Sequence, residues 1–137
     1  QSALLSGGSK QTQECPVVHL YDPEKRDWIM QQCSGRFPSK RLFHHSWYEA
    51  PYFFVYGGTS QDKKILSDIY TLNCQNFNWK RFFSLEGPLT RLHSSFVNMG
   101  TKKYVIGGAS YPENLVLNDI WSLSFENVVW ESTSLDL

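Results

Sequence analysis

The chain has little of what marks a catalytic, secreted or membrane protein. Cysteine is scarce: there are three in 137 residues, Cys15, Cys33 and Cys74, with no Cys-x-x-Cys pair. A disulfide framework would need an even set, so the reading is three reduced thiols in an intracellular compartment, cytoplasmic rather than nuclear. No Asn-x-Ser/Thr acceptor occurs, which leans the same way. Net charge is also lacking. Thirteen Lys+Arg stand against thirteen Asp+Glu, so no long-range field favours nucleic acid or an anionic membrane. No apolar run approaches the roughly 20 residues that cross a bilayer, and no amino-terminal signal segment is visible. Gly-x-Ser-x-Gly, phosphate-loop and dinucleotide motifs are missing as well.

What the chain does have is a repeat. Gly7-Gly8, Gly57-Gly58 and Gly107-Gly108 lie fifty residues apart, and Trp28, Trp79 and Trp130 fifty-one apart. Between these marks, residues 66–72 (Leu-Ser-Asp-Ile-Tyr-Thr-Leu) are matched by residues 117–123 (Leu-Asn-Asp-Ile-Trp-Ser-Leu). Tyr70 and Trp121 therefore occupy one repeat position, which His19 fills in the first copy, and each precedes its Trp by nine residues. The hairpin between those two marks has a fixed length even where the aromatic is replaced.

An apolar strand running into Gly-Gly, an Asp-Ile-aromatic strand and a Trp nine residues later together resemble the kelch repeat. The resemblance covers nearly the whole chain. It implies an all-β protein, a segment of a propeller built from four-stranded antiparallel blades. The expected blades are residues 1–37, which lack their inner strand, then 38–87 and 88–137. In the second blade the expected strands are 44–49, 52–56, 68–73 and 79–83; in the third they are 94–98, 103–106, 119–123 and 129–133. The first blade should keep a third strand at 17–21 and a fourth opening at Trp28. Each Gly-Gly is expected to end its strand. Three blades do not close a ring of about six, so the remaining blades are expected from chain beyond these residues, with a homodimer the lesser alternative.

The five Trp, seven Tyr and nine Phe could stack bases, but most fall at repeated strand positions and read as blade-to-blade packing. His44 and His45 are neighbours on a strand and point to opposite faces, so they do not suit one metal ion. His44 reads as a strand histidine bonded to backbone inside the ring. Cys15 and His19 lack a second pair of zinc ligands, so no metal or cofactor is expected. Some kelch-like propellers are copper oxidases using Tyr, Cys and His. An enzyme of that kind, or a sugar-modifying protein, is the alternative to a non-catalytic interaction module.

By the same resemblance, the ring end carrying the loops between second and third strands and between blades meets the partner. The candidate partner-binding residues there are Arg36, Lys40, Arg41, Lys63, Lys64, Arg91 and Tyr111. Guanidinium bonds a carboxylate through two parallel hydrogen bonds, so the expected partner is a protein or peptide with an acidic segment or a terminal carboxylate. Arg41 and Arg91 lie fifty apart at equivalent positions, which equally suits a structural bond to backbone. Ubiquitin-ligase adaptors, actin-associated proteins and trafficking scaffolds are the employers that the resemblance suggests.

Overall fold

In the computed structural model, short apolar runs separated by Asn, Asp and Gly turns form fourteen strands; no helix occurs among the described residues, which are 2–4 (backbone only), 17–84 and 86–133. Gly7, Gly8 and Cys15 lie outside them. The first sheet has three antiparallel strands, β1 (Ser2–Leu4), β2 (Val17–Asp22) and β3 (Asp27–Gln32). The second contains β4 (Ser34–Gly35), β5 (Arg41–Leu42), β6 (His45–Glu49), β7 (Tyr52–Ser60), β8 (Ile65–Asn73) and β9 (Asn78–Phe82). The third contains β10 (Arg91–Leu92), β11 (Ser95–Met99), β12 (Lys102–Ser110), β13 (Leu115–Ser124) and β14 (Trp130–Thr133). The three sheets follow one another along the chain.

Two details differ from the expectation. Gly57-Gly58 and Gly107-Gly108 do not end their strands. They bend them, with a register shift between Tyr56 and Gly58 and again between Ile106 and Gly108. Before the bend β7 pairs with β6, and beyond it with β5; β12 does the same with β11 and β10. Gly58 and Gly108 hold φ of 94° and 102°, and a Cβ on either would lie 2.6 Å from the carbonyl oxygen of Leu42 or Leu92. Only glycine fits where a second strand crosses so closely. The other difference is β4, placed by sequence in the first blade. It pairs in parallel with β9 of the second, through Ser34 N–H to Phe77 O and Arg36 N–H to Trp79 O, both 2.9 Å.

The backbone repeats more strictly than the side chains. Positive φ recurs at Arg26, Phe77 and Val128, at Phe43 and His93, and at Lys63 and Asn114. Within each of these sets the members are fifty or fifty-one residues apart.

The core lies between sheets rather than inside any one of them. Val18 of the first sheet packs with Phe53, Val55, Tyr70, Leu72 and Trp79 of the second. Trp47, Phe54, Tyr56 and Ile69, on the opposite face of that second sheet, pack with Val105, Leu123, Val128 and Trp130 of the third. Each blade thus presents its Trp to the blade before it. Trp79 is 2% exposed and Trp130 5%, whereas Trp28, expected in the core, is 49% exposed. The physical reason is that, among the described residues, none from another sheet packs against it as Val18 does against Trp79.

Candidate partner-binding end

The bend at Gly-Gly fixes a buried ion pair in each complete blade. Arg41 Nη1 donates to Gly57 O at 3.0 Å and to Asp68 Oδ1 at 2.6 Å; Arg91 Nη1 donates to Gly107 O at 3.0 Å and to Asp119 Oδ1 at 2.6 Å. Nη2 closes the fork on the second carboxylate oxygen, at 3.3 Å on Asp68 and 2.8 Å on Asp119. The arginine side chains are only 3% and 0% exposed. Arg91, helped by the Trp121 indole, holds the Asp119 carboxyl below its usual range. These two arginines therefore leave the candidate docking set. Their guanidiniums clamp strands β5 to β8 and β10 to β13 across the bend, where an incoming carboxylate would have to displace a paired one. They do bond backbone, at Gly57 and Gly107, but within one blade rather than between blades.

The other candidates sit at the end where β7, β9 and β12 finish and β5, β8, β10 and β13 begin. Arg36 is exposed, with its guanidinium carbon 5.6 Å from the centre of the Phe83 ring. Lys40 is half-buried in the crossing from the first blade to the second. Lys63 and Lys64 are exposed in the β7–β8 turn, where Lys64 Nζ lies 3.3 Å from Asp62 Oδ2. Tyr111, 39% exposed, opens the matching turn after β12. The sequence reading missed Arg81, on β9. Its guanidinium carbon stands 4.5 Å from the Phe83 ring centre and 5.8 Å from that of Tyr70. One Nη lies 3.8 Å from Asp68 Oδ2, and its buried Nε has no hydrogen-bond partner.

Phe83 is thus an exposed ring, 70% accessible, flanked by two guanidiniums. Beside it opens a cleft of about 230 Å³ between the outer strands of the second blade and the crossing to the third, lined by Asp68, Arg81, Ser84, Glu86, Gly87 and Trp130 among others. The surface is amphipathic. Phe37, Leu42, Phe43 and Leu89, from 42% to 77% exposed, lie in or beside the same crossings. Such a surface can bind an extended segment by cation–π and carboxylate contacts at once.

Between the second and third blades, His45 stacks on Phe96 with 3.6 Å between ring centres. Burial, the Lys103 ammonium and His44 bring its pKa down to about 4, so the imidazole is neutral at pH 7. His44 Nδ1 is buried without a hydrogen-bond partner, but the imidazole makes a backbone hydrogen bond at Arg41, the kind of bond expected of it, while burial lowers its pKa. Cys33 and Cys74 are free thiols in the packing between the first and second blades, and burial raises both pKa values.

Antiparallel sheets stacked face to face, two of them bent at Gly-Gly, define a segment of a kelch-type β-propeller. The chain matches the family described as the KLHDC2/KLHL20/DRC7 Kelch-repeats domain over residues 1–136, and it belongs to that family. It is 27% identical over 131 residues to the host cell factor homolog hcf-1 of Caenorhabditis elegans, covering 83% of this chain and 17% of that protein. It is 25% identical to the Rab9 effector protein with kelch motifs of Rattus norvegicus, over 78% of this chain and 30% of the relative. The chain therefore spans less than a third of these relatives. Among solved structures it resembles YjhT, with a TM-score of 0.67 at 17% identity, covering 88% of this chain and 43% of that one. This likeness is one of fold.

Proposed function

We propose that the chain is a non-catalytic protein-interaction module whose loop end binds an acidic segment of a partner protein. The observation that carries this reading is the Phe83 ring held between Arg36 and Arg81 beside an open cleft. A carboxylate side chain or chain terminus would meet the guanidiniums, and an adjoining apolar residue would cover Phe83. Kinship with a host cell factor homolog and with a protein named as a Rab9 effector supports protein binding in general. Within it, an adaptor or trafficking role in an intracellular, reducing compartment is the finer reading.

The test is fluorescence anisotropy of the 137-residue chain with a labelled Glu-rich peptide containing one Leu or Phe, at several salt concentrations. The double variant Arg36→Gln with Arg81→Gln should weaken binding at least tenfold and flatten its salt dependence. The thermal midpoint of Arg36→Gln alone should stay close to that of the parent, because surface substitutions usually change stability by about 0.5 kcal/mol or less, and the double variant is compared at a temperature where its midpoint shows it folded. Unchanged affinity after neutralising Arg36, Lys40, Lys63, Lys64 and Arg81 together would move the site elsewhere.

A further inference from the structure

The crossing from the first blade to the second carries a serine that the matching crossing to the third does not. Residues 36–40 (Arg-Phe-Pro-Ser-Lys) form no strand, and Arg36, Phe37 and Ser39 are exposed. Fifty residues on, Glu86 stands where Arg36 does and Leu89 where Ser39 does. The backbone contact is the same in both crossings: Ser39 O accepts from Arg41 Nε and Leu89 O from Arg91 Nε, each at 3.1 Å. The Ser39 hydroxyl is therefore not needed to hold the crossing. Instead it accepts from Arg41 Nη2 at 3.3 Å, while the same Nη2 reaches Asp68 Oδ2 at 3.3 Å. In the third blade, where leucine replaces the serine, Arg91 Nη2 closes on Asp119 Oδ2 at 2.8 Å. One arm of the Arg41 fork is thus shared between a carboxylate and an exposed hydroxyl, and Nη1 keeps the bonds to Asp68 and Gly57.

We infer that Ser39 is a phosphorylation site, its phosphate seated on Arg41 Nη2, and that the modification opposes binding of an acidic segment at this end. Ser39 Oγ forms the new bond to the γ-phosphorus of ATP, the bond to the ADP oxygen breaks, and the hydroxyl proton passes to the kinase's base. An arginine three residues before a serine suits a kinase with an acidic substrate groove, because its guanidinium forks onto a carboxylate of the enzyme. That spacing occurs three times, at Arg36 and Ser39, Arg81 and Ser84, and Arg91 and Ser94. The structure selects the first. Arg91 is 0% exposed and clamped on Asp119, and Arg81 is half-buried on β9, whereas Arg36 and Ser39 are both exposed in a segment that can enter a groove without breaking a strand ladder. A phosphoserine carries about 1.5 to 2 negative charges and three acceptor oxygens, and beside an arginine it forms charge-assisted hydrogen bonds. Arg81, 3.8 Å from Asp68 Oδ2, remains to pair the carboxylate oxygen that gives up Nη2. The effect on binding rests on the acidic-partner reading above: a dianion between Arg36 and Lys40 in the chain cancels the charge those residues offer.

The test incubates the 137-residue chain with ATP and the catalytic subunit of cyclic-AMP-dependent protein kinase, which prefers basic residues before its serine, and maps the product by mass spectrometry. Phosphate is expected on Ser39 ahead of Ser84 and Ser94, with an at least tenfold lower kcat/KM for Arg36→Gln and none at this site in Ser39→Ala. Phosphorus NMR of the product should show the phosphate's second pKa below its ordinary value of about 6, because a neighbouring guanidinium favours the dianion. In the anisotropy assay with the labelled Glu-rich peptide, the phosphorylated chain should bind at least tenfold more weakly than the parent, and Ser39→Ala as the parent does. No phosphate on Ser39, preference for Ser84 or Ser94, an ordinary second pKa, or loss of the cooperative thermal transition on phosphorylation would each overturn the inference. Equal binding by the phosphorylated and parent chains would overturn its regulatory half. A parent chain that fails to bind the peptide would sink the acidic-partner reading instead, and the mapping and the titration would then decide the modification alone.

Discussion

Trp79 and Trp28 occupy the same repeat position, yet truncating them should have very different effects on stability. Trp79 is 2% exposed against Val18, Phe53, Val55, Tyr70 and Leu72. A large aromatic removes about 150 to 250 Å² from water, and at about 25 cal/mol per Å² that is worth roughly 4 to 6 kcal/mol. Core Trp-to-Ala changes are observed to cost about 3 to 5 kcal/mol, so Trp79→Ala should fall in that range. Trp28 leaves 49% of its surface in water, which halves the transfer contribution to about 2 to 3 kcal/mol. The assay is urea denaturation at a concentration low enough for the chain to be monomeric, comparing midpoints at constant m. Equal losses for the two variants would refute the account of packing in which each blade's Trp is buried against the blade before it.

Asp119→Asn should cost about 3 to 5 kcal/mol, because it strands the buried Arg91 guanidinium, and chemical denaturation reads this directly. Replacing Arg91 and Asp119 together by Met and Leu should recover much of that loss, which a double-mutant cycle would measure. Stability should fall as pH drops from about 6.5 towards 4. The unfolded chain protonates His45 near its ordinary value, whereas the folded chain holds it neutral down to about 4. The thermal midpoint of His45→Gln should be flatter across that window, and an unchanged slope would count against the packing described around Phe96.

The fold was legible because its marks are backbone requirements: the glycines at the bend and the Trp that crosses to the previous blade recur at fixed spacing. The strand ends were less so. A Gly-Gly pair reads as a stop until one sees that a second short strand, Arg41–Leu42, takes over the pairing beyond it. The site was half legible. Arg41 and Arg91 could not be sorted by sequence alone, because their carboxylate partners lie 27 and 28 residues away on another strand. The signal was there, in an Arg and an Asp repeated together in both complete blades. Arg81 was missed for the opposite reason. Its repeat equivalents are Met30 and Ser132, so looking for what recurs concealed a residue distinguished by not recurring.

The parallel strap β4 also bears on how the chain leaves the ribosome. Its partner on β9 lies 44 residues further on, as the Asn78 to Ser34 side-chain bond records. At about 5 to 20 residues per second, the first blade waits roughly 2 to 9 seconds before β9 has been synthesised. During that interval Val18, 1% exposed in the finished fold, faces solvent or a chaperone instead of Trp79. Rare codons just before position 79 would lengthen the wait, and those just after it would give the blades time to dock.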